Sequence, residues 1–308
     1  MQGPVNYLRL KKQQSLADQV HIDHYSQQNL MLKILAPTDF SINSKAGLRF
    51  ALRWSAQQKL EIIFIHIFHV KRLPQWTDAD FNIKADMEAE EKKRKLQKFV
   101  RALCKSTKIN PAKYSCIAKI GLSADIGIMD FCRNYKGIDF ICIATRGAGR
   151  LDKLLGTTTG NLTTKSPVPV ITIPGNYRAN SIKRILYATD LRNYKEELRK
   201  VVAFARPLGA KINVLHLSRS NDILADGKTI NNQFKGKFYK NIDLEIDKNQ
   251  MGQSLLTNLQ KQIKSLKPSL IIMFTNQHRS FFQKIVFPSR TEKVSFTTTI
   301  PLLSFHKD

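Results

Sequence analysis

With 308 residues and 42% hydrophobic content, the chain has apolar material for two domains of ordinary size, each with its own core. Its longest apolar run, Ile62–Val70, is interrupted by His66 and His69 and stays far short of the ~18 residues a membrane-spanning helix needs, which argues against a membrane protein. The net charge of +26 is spread over both halves, with about 22 Lys and Arg against about 10 Asp and Glu in residues 181–308, so it attracts anions without marking a dedicated nucleic-acid surface.

Taken in order, residues 1–30 are polar, rich in Gln and without periodicity. They read as a flexible leader with no secretion signal, and Met31 would itself make a natural start. From Met31 strands and helices alternate, the pattern of a parallel sheet covered on both faces. A first strand, Leu32–Ala36, ends at Pro37-Thr38-Asp39. Ser41 or Asn43 can cap a helix running to about Gln58, with Ala46, Phe50, Ala51 and Trp54 as its apolar stripe. A second strand spans Glu61–Phe68, a long charged helix about Ala79–Ser106, a third strand Ser115–Ile120 and a helix Ala124–Asn134. The four cysteines, Cys104, Cys116, Cys132 and Cys142, contain no CxxC pair and fit reduced thiols in a cytoplasm.

The stretch Phe140–Ile173 is the most informative. Phe140–Ala144 has the length and content of a strand buried on both faces, and Val168–Ile173 is a second strand whose Pro167 and Pro169 suit an edge or a strand opening. Between them lie Gly147, Gly149 and Gly156-Thr157-Thr158-Thr159, followed by a helix from about Thr157 to Thr164. Glycines let a backbone approach an anion, and N–H groups and hydroxyls at a helix start can bind phosphate oxygens. This is a phosphate cradle in outline, although an ordinary strand-to-helix connection would use the same turn glycines. It is neither a Walker loop, because Thr157 stands where lysine should follow Gly156, nor a dinucleotide GxGxxG, because position 152 is Asp152.

After Pro174-Gly175-Asn176 the pattern begins again. Ile34-Leu35-Ala36-Pro37-Thr38-Asp39 is echoed by Ile185-Leu186-Tyr187-Ala188-Thr189-Asp190, and Phe64-Ile65-His66-Ile67 by Val214-Leu215-His216-Leu217. Leu270–Phe274, preceded by the helix Gln253–Ser265, and Ile300–Ser304 supply the later strands of the second copy. The expected fold is therefore α/β, with two doubly wound parallel-sheet domains in tandem, residues 31–176 and 181–308.

The run Ala36–Ser41, the glycine loop and the strand-five ending resemble the universal stress protein family in its tandem two-domain form. The resemblance covers about residues 31–308 and implies a Rossmann-like, adenine nucleotide alpha hydrolase-like fold. ATP-binding members of that family carry G-2x-G-9x-G-(S/T) after strand four. Here the run is Ala144-x2-Gly147-x8-Gly156-Thr157, so the first glycine is an alanine and the second spacer is one residue shorter. Carried over, the resemblance implies an adenosine site at Ala36, Pro37, Thr38 and Asp39, with the Asp39 carboxylate on the ribose hydroxyls, although that carboxylate could equally cap the following helix. Arg146, Gly147, Gly156, Thr157, Thr158 and Thr159 would hold the phosphates. The implied ligand is ATP, with or without Mg, and nothing separates it from AMP or a cyclic nucleotide.

The second copy departs further. No glycine follows Gly252, and the stretch matching the cradle, Thr275–Phe282, carries the bulky pair Phe281 and Phe282 with Pro288 near the place of Gly156. It is expected to keep the fold without the nucleotide, and His278 and Arg279 read as a surface loop, with binding of a smaller anion as the alternative. The leading expectation is a cytoplasmic stress-response protein that binds an adenine nucleotide in its first domain as a regulatory ligand. No catalytic or metal residues are assigned: there is no GxSxG and no HExxH, and slow ATP hydrolysis stays open. The other readings are a non-nucleotide interaction scaffold, motivated by Ala144 and the shorter spacer, and RNA binding through the basic surface. The apolar final strands favour pairing of the two copies within one chain, and a homodimer remains open.

Overall fold

The computed structural model describes residues 31–145, 157–189, 193–216, 242–245, 255–275 and 299–305. Strand β1 (Leu32–Pro37) sends Ile34 and Ala36 into one apolar cluster and Leu35 into another, so both of its faces need a cover of helices. Helix α1 (Ser44–Ser55) covers the first face with Ala46, Phe50, Ala51 and Trp54. Strand β2 (Leu60–Phe68) follows with the same alternation: Ile62 and Phe64 join the first cluster, Ile63 and Ile65 the second.

Helix α2 (Asp78–Thr107) starts at a capping box, in which Thr77 Oγ1 accepts from Asp80 N at 3.1 Å and Asp80 Oδ2 accepts from Thr77 N at 3.0 Å. Most of its buried residues, Leu96, Val100, Leu103 and Cys104, lie in its second half, where it packs on the first face. The first half then continues through β3 (Lys113–Ile120), α3 (Ala124–Asn134), β4 (Phe140–Ala144), α4 (Thr157–Lys165) and β5 (Val170–Ile173). The second half contains β6 (Arg184–Thr189), α5 (Tyr194–Ala205), β7 (Lys211–His216), β8 (Ile242–Glu245), α6 (Leu255–Leu266), β9 (Leu270–Phe274) and β10 (Leu302–Phe305).

All ten strands join one sheet in the order β3-β2-β1-β4-β5-β10-β9-β6-β7-β8. Every pairing is parallel except β5 with β10, where Leu303 stands opposite Ile171. The order reverses on itself about that central pair, and matched hydrogen bonds recur on either side of it. Ile141 N donates to Pro169 O at 3.0 Å and Ile271 N to Pro301 O at 2.9 Å; Thr145 N donates to Ile173 O at 2.7 Å and Thr275 N to Phe305 O at 3.0 Å. Strand β5 is an interior strand, flanked by β4 and β10. Of the two places its prolines suit, an edge or a strand opening, the structure has the second: the strand begins at Val170, after Pro167 and Pro169, so no proline interrupts either ladder.

The first-face cluster runs beneath both halves. Trp54 lies 5.2 Å from Phe204 and 5.4 Å from Phe140 between ring centroids, while Phe140 reaches Phe305 at 6.3 Å. Beside this seam the Gln57 amide pairs with the backbone of Ile182, accepting from its N–H at 2.7 Å and donating to its carbonyl at 3.2 Å. Burying rings of this size contributes roughly 2–3 kcal/mol each.

One close contact fixes the depth of α1. A Cβ added at Gly47 would lie 2.9 Å from Ala144 N and 3.2 Å from Cys142 O, both backbone atoms that cannot swing away. Helix propensity alone favours Gly47→Ala by about 1 kcal/mol. The clash reverses that sign, and the substitution should destabilise the protein by about 1–2 kcal/mol in urea unfolding; a stabilised variant would mean that α1 does not seat on β4 as described.

Candidate functional site

The strand order places the ends of β1 and β4 side by side, where β1 turns to β2 on one flank and to β4 on the other. This is the switch point at which open parallel sheets leave a crevice. Thr38, the first residue beyond β1, is 6% exposed and uses every polar group it has. Its N–H donates to Ile65 O at 2.9 Å, its carbonyl accepts from His66 Nδ1 at 2.8 Å, and its hydroxyl pairs with Ser44 Oγ at 2.8 Å while accepting from Phe40 N at 3.0 Å. Thr38 therefore builds the loop. Ala36 and Pro37 are buried within the sheet, and Asp39 is the exposed member of the four residues expected to hold adenosine.

The Asp39 carboxylate accepts from Ser41 N through Oδ1 at 3.0 Å, closing a turn over its own loop. Burial pushes its pKa up, but hydrogen bonds from the Ser41 hydroxyl and nearby amides outweigh this and hold it below the ordinary value. The start of α1 is held by Ser41, whose hydroxyl accepts from Ser44 N at 3.1 Å; Asn43 makes no side-chain cap bond. Phe40, between these groups, has φ +65°, a left-handed conformation that costs a phenylalanine energy. Packing holds it there: its ring lies 4.3 Å from His66 and 5.5 Å from Phe99, with Lys95 Nζ 4.8 Å above it.

Across the switch point, Thr159 and Gly160 are buried on the sheet side of α4 and Thr158 is half-buried. Thr159 is 4% exposed and its hydroxyl donates to Ala144 O at 3.3 Å, tying α4 to the end of β4. The expectation of a phosphate ligand at Thr159 thus meets a hydroxyl already engaged with the fold. Arg146, Gly147 and Gly156 lie outside the described residues, as does the side chain of Thr157. On the described side the structure brings Asp39 and the α4 start to neighbouring strand ends.

The second half differs at the matching positions. Its β6 carries Tyr187 where β1 has Ala36, and α5 carries Glu197 as its fourth residue where α1 has Gly47. Both are buried, and the Tyr187 hydroxyl donates to Glu197 Oε2 at 2.5 Å with Thr189 Oγ1 at 3.4 Å from the same oxygen. A hydrogen-bonded phenol and carboxylate thus stand where the first half has alanine and glycine. Sequence reasoning rested the loss of the second site on 275–288, most of which lies outside the described residues. It missed this pair, although aligning α5 on α1 sets Glu197 against Gly47. Among the described residues no group of three His, Cys, Asp or Glu could hold a metal ion, and no helix is long and apolar enough to cross a membrane.

The description of the universal stress protein family matches residues 31–174. Among solved structures, a universal stress protein from Archaeoglobus fulgidus DSM 4304 is 20% identical, covering 89% of this chain and 96% of that chain with a TM-score of 0.62. A universal stress protein from Lactobacillus plantarum is 19% identical over 47% of this chain and 99% of that chain, with a TM-score of 0.36. A family protein from Arabidopsis thaliana, solved with AMP bound, is 18% identical over 49% and 93%, with a TM-score of 0.31. At such identities the likeness concerns the fold alone. No curated protein matches the chain.

His66 gives the site a pH dependence. Burial lowers its pKa most, Lys92 and Lys95 lower it further, and the Thr38 carbonyl and Asp39 pull the other way. A histidine whose folded pKa is depressed contributes stability above its unfolded pKa, near 6.5, that is lost as pH falls through the folded value. NMR titration should place His66 below 6.5, Lys95→Ala should raise it, and the acid loss of stability should shrink in His66→Gln. A titration midpoint above 6.5 would contradict the arrangement.

Proposed function

Since the chain belongs, through residues 31–174, to the universal stress protein family, we propose that its first half holds ATP or a related adenine nucleotide as a regulatory ligand in a cytoplasmic stress-response protein. The second half then serves as a structural partner. The observation that carries this reading is the contrast between the two strand-end loops. In the first, Thr38 and Ser41 take up the loop's internal hydrogen bonds and leave the carboxylate of Asp39 exposed at the end of β1. In the second, a buried Tyr187–Glu197 hydrogen bond stands where the first half has Ala36 and Gly47.

The chemistry suits a nucleoside phosphate. An ionised carboxylate is an acceptor only, and a ribose diol offers two donors to it. On the β4 side, the guanidinium of Arg146, the backbone at Gly147 and Gly156 and the hydroxyls of Thr157 and Thr158 form a donor set for phosphate oxygens, with Mg as the counter-ion such phosphates usually carry. The Thr159 hydroxyl is bonded to Ala144 O, so Thr159 would join that set through its backbone N–H in the first turn of α4. We read the ligand as a signal and not a substrate, since no general base is assigned beside the phosphates.

Titration calorimetry of nucleotide-free protein with ATP tests the reading. Asp39→Ala, at an exposed position, should leave the fold intact by circular dichroism and weaken ATP binding about 10- to 100-fold, the loss of a hydrogen bond to a charged group. Unchanged affinity in that variant would remove Asp39 from the site, and no heat at millimolar ATP in the unaltered protein would remove the nucleotide.

A further inference from the structure

Helix α4 is a poor helix by its own sequence. Five of its nine residues are threonine, and Gly160 and Asn161 sit in its middle. Its place must be set by its neighbours, and three contacts among the described residues do this. Leu162 is fully buried in the second-face cluster, the Thr159 hydroxyl reaches Ala144 O, and Asn161 Nδ2 donates to Asp125 Oδ2 at 2.5 Å. The first two fix α4 against the sheet. The third fixes it sideways, against α3.

Asp125 is built to hold that bond. It stands in the first turn of α3, and its other oxygen, Oδ1, accepts from Ser123 Oγ at 2.6 Å, which locks the carboxylate in one orientation. Hydrogen bonds from Ser123, Asn161 and the first α3 amides offset the effect of burial and keep the group ionised, so the contact to Asn161 is charge-assisted. None of these groups was singled out by the sequence pattern, because a Ser-x-Asp at a helix start reads as ordinary capping.

We propose that Asp125 is a positioning residue for the nucleotide site: through Asn161 it fixes the lateral position of α4 and hence where the first turn of that helix meets the ligand phosphates. This rests on the nucleotide reading above. It also runs against simple electrostatics. A carboxylate near a phosphate-binding helix start repels the ligand, so removing its charge should tighten ATP binding unless its positioning role dominates. The sign of the effect therefore separates the two.

Asp125→Ala leaves the sequence of α4 untouched, and two measurements on the full chain read its consequence. In ligand-free protein, hydrogen exchange of the α4 amides should speed up about tenfold while those of β1 and β4 hold their rates. In calorimetry, ATP should bind about tenfold more weakly while adenosine, which has no phosphates, binds as before. Asn161→Ala should reproduce the ATP loss, and the double variant should add little to it, as for two partners of one bond. Unaltered protein that binds no ATP overturns the nucleotide reading and this role with it. Protein that binds ATP equally well or better after Asp125→Ala, or whose α4 exchanges at the original rate, overturns the positioning role alone.

Discussion

The seating of α1 on the end of β4 is the contact on which the first half depends. It requires that residue 47 have no side chain, because the helix backbone lies where a Cβ would meet Ala144 N and Cys142 O. Once the helix is that deep, its first turn comes level with the end of β1, and Ser44 can reach the Thr38 hydroxyl at 2.8 Å. Thr38 in turn anchors His66 and the Phe40 amide. The exposed carboxylate of Asp39 is the outcome of this chain of contacts and not an isolated feature of the loop.

The two halves show what happens when that constraint is kept or dropped. They share strand order, matching hydrogen bonds at Pro169 and Pro301, and one apolar cluster that crosses the β5–β10 pair. They differ at the helix residue facing the strand end. Glycine in the first half lets the helix backbone pack directly on Ala144 and Cys142, while Glu197 in the second brings a buried carboxylate that needs partners and finds them in Tyr187 and Thr189. A buried polar cluster of this kind stabilises a fold only when it is satisfied.

Most of the fold was legible in the sequence because it is written in runs and periods. Phe140–Ala144 and Ala124–Asn134 have the bounds that apolar runs and caps suggested, and the long charged helix differs from its expected ends by one residue at each. What the sequence could not show were choices between equivalent donors and between neighbours in space. Ser41 and Asn43 are both good caps, and only the loop geometry selects Ser41. Helical rotation turns the Thr159 hydroxyl onto Ala144 O, which nothing in the run of three threonines signals. The Asp125–Asn161 bond joins residues 36 apart, and no local pattern announces it.

The central proposal is that the first half holds an adenine nucleotide and the second does not. The direct measurement is to denature freshly purified protein, identify any released nucleotide by chromatography and mass, and then titrate the emptied chain with ATP to obtain its stoichiometry. The account predicts an adenine nucleotide at about one per chain. Two per chain would contradict a single site in the first half, and none, with no binding at millimolar ATP, would contradict the site at Asp39.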